Sequence, residues 1–63
     1  MAYYTLLTYE NGTWSPQFGD YDRETVSLER RDCYSADETK ILKTRTARQS
    51  EINSAIAALN ALD

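Results

Sequence analysis

The 63-residue sequence contains no histidine and a single cysteine, Cys33. One cysteine excludes an internal disulfide, and the absence of histidine removes the usual zinc-binding patterns. A thiol without a histidine to activate it is a poor nucleophile, so we interpret Cys33 as a small, partly buried apolar residue. The sequence therefore argues against an enzyme, and it predicts no catalytic residue, no metal ligand and no cofactor.

The sequence also lacks an apolar run long enough to span a membrane. Residues 1–5 contain neither the basic residues nor the apolar core of a secretion signal, so we expect a cytoplasmic protein without a membrane partner. The length predicts one domain, residues 1–63, which would bury only roughly 60% of its unfolded surface. Two explanations of its stability stay open, namely homo-oligomer formation or a marginal fold.

The N-terminal part of the chain predicts a β-hairpin. Residues 2–9 are rich in aromatic and β-branched side chains, and Asn11-Gly12 follows, a pair that favours positive φ at both turn positions. The two-residue turn predicts four cross-strand pairs: Glu10–Thr13, Tyr9–Trp14, Leu7–Pro16 and Thr5–Phe18. Because Pro16 has no N–H to donate, the second strand should lie at the edge of the sheet.

Two helices and a short strand are predicted for the rest of the chain. Asp22 is a plausible N-cap for a helix over residues 23 to about 34, and residues 40–44 indicate a third strand. The segment Thr46–Leu62 predicts the longer helix, with a capping box formed by Thr46 and Gln49. Its apolar stripe consists of Ile52, Ala55, Ile56, Leu59 and Leu62.

The element order β–β–α–β–α predicts a small α+β two-layer sandwich. A right-handed crossover places the third strand beside the first, which gives a three-stranded antiparallel sheet of order 2-1-3. Both helices are expected on one face, which would leave the other face uncovered. The face with the larger side chains is the expected core: Tyr3, Leu7, Tyr9, Trp14 and Phe18.

Charge is distributed unevenly along the sequence. Residues 1–39 carry eight acidic and three basic residues, a net charge of −5, whereas residues 40–50 carry four basic residues and no acidic one. Lys43, Arg45 and Arg48 lie near the start of the second helix, where free N–H groups favour an anion. The basic segment 40–48 is therefore either a solvated face or a site for a nucleotide or nucleic acid, the less favoured of our functional hypotheses.

The segment from Trp14 to Glu24 mixes aromatic and acidic residues. Tryptophan and tyrosine are favoured anchors of protein interfaces, although a small core needs such large side chains as well. The candidate partner-binding residues are Trp14, Phe18, Asp20, Tyr21, Asp22 and Glu24. We interpret Asp20 and Asp22 as helix caps and not as metal ligands.

The segments Trp14–Val26 (WSPQFGDYDRETV) and Lys40–Leu62 (KILKTRTARQSEINSAIAALNAL) resemble short uncharacterised proteins encoded by bacteriophages and prophages of proteobacteria. The resemblance covers most of the chain but brings no catalytic residue. It implies an accessory protein that acts in the host cytoplasm, and small phage proteins often bind and block a host protein, including CRISPR complexes. The leading hypothesis is a non-catalytic protein-binding module whose acidic, aromatic part meets a basic host protein.

Overall fold

The computed structural model describes residues 1–62. Its elements are β1 (Tyr3–Glu10), β2 (Thr13–Asp20), α1 (Arg23–Cys33), β3 (Thr39–Thr44) and α2 (Gln49–Ala61). The three strands form one antiparallel sheet of order β2-β1-β3. This confirms the α+β class, the strand order and the position of β2 at an edge.

The hairpin between β1 and β2 has the predicted turn and the predicted strand pairing as far as Pro16. Asn11 and Gly12 adopt φ values of 55° and 81°, and the three predicted pairs nearest the turn form. Beyond Pro16 a β-bulge inserts Gln17, so Phe18 pairs with Leu6 and Gly19 pairs with Thr5. The predicted pair Thr5–Phe18 is wrong, because one extra residue moves every later side chain to the other face of the sheet.

The two helices, expected together on one face, cover opposite faces of the sheet. Leu6 and Leu7 are adjacent in β1 and point to opposite faces, yet both are fully buried. Leu7 packs in a cluster with Ile52 and Ile56 of α2. Leu6 lies outside that cluster, and α1, whose Val26 is fully buried, contacts all three strands, which places α1 over the face that carries Leu6. Within residues 1–62 both faces of the sheet are thus covered, in contrast to the expected open face.

The larger of the two cores lies under α2. Its buried members are Leu7, Trp14, Ile52 and Ile56, with Tyr3, Tyr9, Leu42 and Leu59 packed around them. The core under α1 is thin, because Val26 is the only buried residue of that helix. The exposed fraction of Cys33, expected to be partly buried, is high because it lies in the last turn of this weakly anchored helix.

Helix α2 has no side-chain cap at its start, and its last turn is hydrogen-bonded to β2. The helix begins at Gln49 with Arg48 as N-cap, so the predicted capping box of Thr46 and Gln49 does not form. At the other end Asn60 bonds the backbone of Trp14: the Trp14 N–H donates to Asn60 Oδ1 at 2.7 Å, and Asn60 Nδ2 donates to the Trp14 carbonyl at 3.3 Å. Because Pro16 has no N–H and the Trp14 N–H is already bonded, neither residue can donate to a further strand at this edge.

A matched pair of core substitutions tests the placement of the helices. We expect Leu6→Ala and Leu7→Ala each to lower the free energy of unfolding by about 2–5 kcal/mol, because each removes buried methyl groups from a covered face. Urea denaturation measures the free energy of unfolding of both variants. The buffer contains sulfate, because sulfate strengthens the burial of apolar surface and keeps the variants folded. A loss below about 1 kcal/mol for Leu6→Ala alone would show that its face is open.

The side chain of Thr5 places an unsatisfied polar group in the interior of the fold. Its Oγ1 is buried and has no hydrogen-bond partner within residues 1–62, whereas the equally buried Thr8 Oγ1 accepts from Gln17 Nε2 at 3.0 Å. We expect Thr5→Val to raise the free energy of unfolding by up to about 1 kcal/mol, because it removes an unsatisfied polar group. Thr8→Val, the matched control, should lower it. A loss of stability in Thr5→Val would contradict this account of the hydroxyl.

Candidate interaction surface

Four of the six residues proposed for partner binding lie together at one end of the molecule. Asp20 ends β2, Tyr21 and Asp22 form the connection, and Glu24 lies in the first turn of α1. Tyr21, Asp22 and Glu24 are exposed and Asp20 is partly buried. We call the surface formed by residues 20–24 the acidic end.

Hydrogen bonds from the two aspartates fix the backbone of the acidic end. Asp20 Oδ1 accepts from the Asp22 N–H at 2.8 Å, and Asp22 Oδ1 accepts from the Glu24 N–H at 3.1 Å. Asp22 Oδ2 also accepts from the Thr25 hydroxyl at 3.1 Å. Asp22 is thus the N-cap of α1, as predicted, and the conformation of Tyr21 between the two carboxylates is determined by its neighbours.

The ring of Tyr21 is supported from below although 53% of the residue is exposed. It packs edge-on against Tyr3, with 4.9 Å between the ring centroids and an interplanar angle of 76°. Tyr3 can lie there because Gly19 has no side chain: a Cβ at Gly19 would come within 2.8 Å of two ring carbons of Tyr3. The sequence analysis did not identify Tyr3 or Gly19 as part of this surface.

The carboxylates of the acidic end are not neutralised by salt bridges. The one salt bridge within 4.0 Å in the described part of the chain joins Arg31 and Asp32, both exposed, in the last turns of α1. Residues 20–24 contain three acids and Arg23, a net charge of −2. The acidic end therefore presents a net negative surface around an exposed aromatic ring.

Of the other two candidates, Trp14 is buried and Phe18 is partly buried. Trp14 is only 8% exposed, and its ring packs on Tyr9 with 5.0 Å between centroids. Lys40 Nζ lies 5.3 Å from the centroid of the Trp14 ring, which places this lysine in a cation–π contact. Phe18 is partly buried beside Leu6 because of the bulge. The buried ring of Trp14 therefore presents little surface to a partner, in contrast to what the sequence suggested.

The basic segment is exposed, but a carboxylate of the chain itself lies at its centre. Lys43, Arg45 and Arg48 are all exposed. Glu51 Oε2 accepts from the Arg45 N–H at 2.8 Å, and Glu51 Oε1 accepts from the Thr46 hydroxyl at 2.6 Å. Glu51 therefore places a negative charge between the basic residues and the start of α2, beside the region that the sequence suggested for a phosphate.

The chemistry of Cys33 is that of an unactivated thiol. A hydrogen bond to Glu29 raises the pKa of this thiol above its ordinary value of 9.0, and the charges of Glu29 and Asp32 act in the same direction. The thiol is thus protonated at neutral pH, the opposite of what a catalytic cysteine needs.

Within residues 1–62, no group of three or more acidic or cysteine side chains is arranged to hold a metal ion. No helix in this part of the chain is long and apolar enough to cross a membrane. Comparison with protein-family models, with curated proteins and with solved structures finds no match.

The hydrogen bonds of Glu51 predict a pH dependence of stability. The Thr46 hydroxyl, the Arg45 N–H and the Arg45 charge hold the pKa of Glu51 below its ordinary value of 4.5. The stabilisation is therefore complete above pH 4.5 and is lost as the pH falls through the lower pKa of the folded state. We expect the urea midpoint of Glu51→Gln to fall less than that of the wild type below pH 4.5.

The control for this pH dependence is Glu10→Gln, which removes an exposed carboxylate at the turn of the hairpin. It should retain the acid-dependent fall that depends on Glu51. Equal pH profiles for Glu51→Gln and the wild type would show that the contacts of Glu51 do not persist in solution.

Proposed function

We propose that this protein is a non-catalytic protein-binding module that docks on a basic protein partner through its acidic end. The observation that carries the proposal is Tyr21, an exposed aromatic ring held between two structured aspartates. Within residues 1–62, Tyr21 and Leu28 are the large exposed apolar residues outside the two ends of the chain.

The support beneath Tyr21 favours an interface role. Aromatic anchors that are already rigid lose little conformational freedom on binding, so more of their contact energy appears as affinity. Tyr21 meets this condition because Tyr3 fixes its ring and the aspartate hydrogen bonds fix its backbone. Tyrosine also combines an apolar ring with a hydroxyl, which suits a surface that is wet when free and covered when bound.

The charge of the acidic end indicates the chemistry of the partner. Unpaired carboxylates attract a surface rich in lysine and arginine, increase the association rate and select against acidic partners. The same negative charge repels a nucleic acid. A protein partner therefore fits residues 20–24 better than a polyanion does.

The resemblance to bacteriophage proteins supplies a setting for this proposal. In that setting the partner is a host protein, the compartment is the host cytoplasm, and the effect is inhibition by blocking, as in an anti-defence or anti-CRISPR protein. Such an inhibitor needs a docking surface and no chemistry.

The direct test is capture of a partner from a nuclease-treated host lysate by the wild type and by Tyr21→Ala. We expect Tyr21→Ala to weaken the affinity for the captured protein by about 2 kcal/mol, roughly 30-fold, as for a central aromatic anchor. Leu62→Ala, which truncates an 83% exposed leucine at the far end of α2, is the matched control and should bind like the wild type. Unchanged affinity of Tyr21→Ala would remove the acidic end as the docking surface.

A triple variant tests whether the carboxylates of the acidic end attract the partner locally or only through the net charge of the protein. Asp20→Asn, Asp22→Asn and Glu24→Gln together remove three charges, and asparagine keeps the ability to cap α1. The matched control Glu10→Gln, Asp37→Asn and Glu38→Gln removes three exposed charges near the opposite ends of the strands. The first variant should weaken binding and flatten its salt dependence, and the control should change both much less.

The alternative, a nucleotide or nucleic-acid binder, is tested with Arg45→Ala combined with Arg48→Ala. Capture that disappears on nuclease treatment and falls in this double variant, while Tyr21→Ala binds normally, would favour the basic segment over the acidic end.

A further inference from the structure

β3 forms the edge of the sheet opposite to β2, because β1 lies between the two. One hydrogen bond shows which backbone groups of β3 face outward. The Tyr9 N–H donates to the Glu38 carbonyl at 2.9 Å, and these two residues continue the register of β1 and β3 by one pair. In an antiparallel ladder, hydrogen-bonded pairs alternate with pairs that are not hydrogen-bonded. The N–H and C=O groups of Thr39, Ile41 and Lys43 therefore point away from β1.

The outward backbone groups of these three residues form a free edge, which we call the β3 edge. Within residues 1–62 they receive no hydrogen bond from a side chain or from another segment. The edge at β2 differs, because the Trp14 N–H and C=O are bonded to Asn60 and Pro16 has no N–H. Free N–H and C=O groups at the edge of a sheet can pair with a further strand.

The exposed charges at the two ends of β3 indicate which strand fits. Asp37 and Glu38 precede β3, Lys43 and Arg45 lie at its other end, and all four are exposed. β3 is therefore negative where it starts and positive where it ends. A second copy in antiparallel orientation brings the negative start of each strand against the positive end of the other. A uniformly acidic or uniformly basic strand would be repelled at one end.

One register pairs every residue of the β3 edge. It places Ile41 opposite Ile41 of the second copy, and Thr39 opposite Lys43 of that copy on both sides. Each of these pairs exchanges two backbone hydrogen bonds. Ile41 adds a contact between two β-branched side chains at the two-fold axis. Asp37 lies diagonal to Lys43 of the second copy, within reach of its long side chain.

The lysines of β3 do not oppose each other in this register. Lysines on an edge strand commonly prevent pairing through repulsion. Here Lys40 lies opposite Leu42 of the second copy, and its Nζ lies 5.3 Å from the centroid of the Trp14 ring of its own chain. A register shifted by two residues toward the start of β3 would place Lys40 opposite Lys40, which is destabilising.

Pairing through the β3 edge ends at two chains. The contact is isologous, because the same strand is used on both sides, and it consumes the open edge of each chain. The remaining edge of each sheet is β2, where Pro16 and Trp14 cannot donate to another strand. The expected assembly is therefore a dimer and not a filament.

We propose that this protein forms a two-fold dimer in which β3 pairs with β3 of a second copy and joins the two three-stranded sheets into one. The proposal is independent of the proposed function, because residues 20–24 lie where β2, the opposite edge strand, ends. Both copies of the acidic end stay exposed in the dimer. Loss of the dimer therefore leaves the affinity of one chain for a partner unchanged.

The test is sedimentation equilibrium of the purified full chain over a concentration series up to about 1 mM, because an interface formed by one pair of strands is small. We expect the mass to rise from the chain mass of 7.2 kDa to twice this value and no further. A monomer across the whole series, or a mass that keeps rising beyond the dimer, overturns the proposal.

Charge variants test the antiparallel orientation. Lys43→Glu and Asp37→Lys each replace attraction by repulsion at both ends of the interface, so each should weaken the dimer by about tenfold. The two substitutions combined in one chain exchange the charges and should restore the affinity of the wild type. Equal dimer affinity of the wild type and Lys43→Glu, or a double variant as weak as the single ones, overturns the proposed pairing.

A backbone variant tests the hydrogen bonds of the β3 edge. The Ile41 N–H points away from β1, so Ile41→Pro removes a donor for the second copy without removing one from the sheet. It should be monomeric at concentrations where the matched control Ile41→Val is a dimer. Unchanged dimer formation by Ile41→Pro, in a chain whose β1 amide NMR signals match those of the wild type, overturns the strand pairing.

Discussion

The fold depends on one constraint, the burial of two adjacent leucines on opposite faces of the central strand. Leu6 and Leu7 are both fully buried, so each face of β1 needs its own cover. The chain has two helices, and each covers one face. Because both faces are covered, the sheet itself is accessible only at its ends and edges. The acidic end lies at such a position, where β2 ends and α1 begins.

Local sequence signals predicted the elements well, and long-range packing decided the rest. Asn11-Gly12 determines the hairpin and Asp22 determines the start of α1, since both act through neighbouring backbone groups. Periodicity alone could not show that the face carrying Leu6 is covered, because α1 contributes only Val26 to it. The bulge at Gln17 has no local signal beyond the preceding proline, yet it moves Phe18 to the other face.

The candidate sites also differ in how much of each could be predicted from the sequence. Residues 20–24 were predictable as a unit because they are contiguous in the sequence. The support of Tyr21 by Tyr3 joins residues far apart in the chain, so it could not be predicted from local sequence signals. In the basic segment the positive charges could be predicted from the sequence. The hydrogen bonds that Glu51 makes there could not, because they depend on how the chain folds.

The central claim is that a protein partner docks where β2 leads into α1. The most direct measurement is the change in amide NMR signals of the labelled protein on addition of the purified captured protein. The account predicts that the largest changes cluster at Tyr3, Thr5 and residues 19–24, with little change at residues 40–48. Changes concentrated at Lys43, Arg45 and Arg48, with residues 19–24 unaffected, would contradict the claim and place the interface on the basic segment.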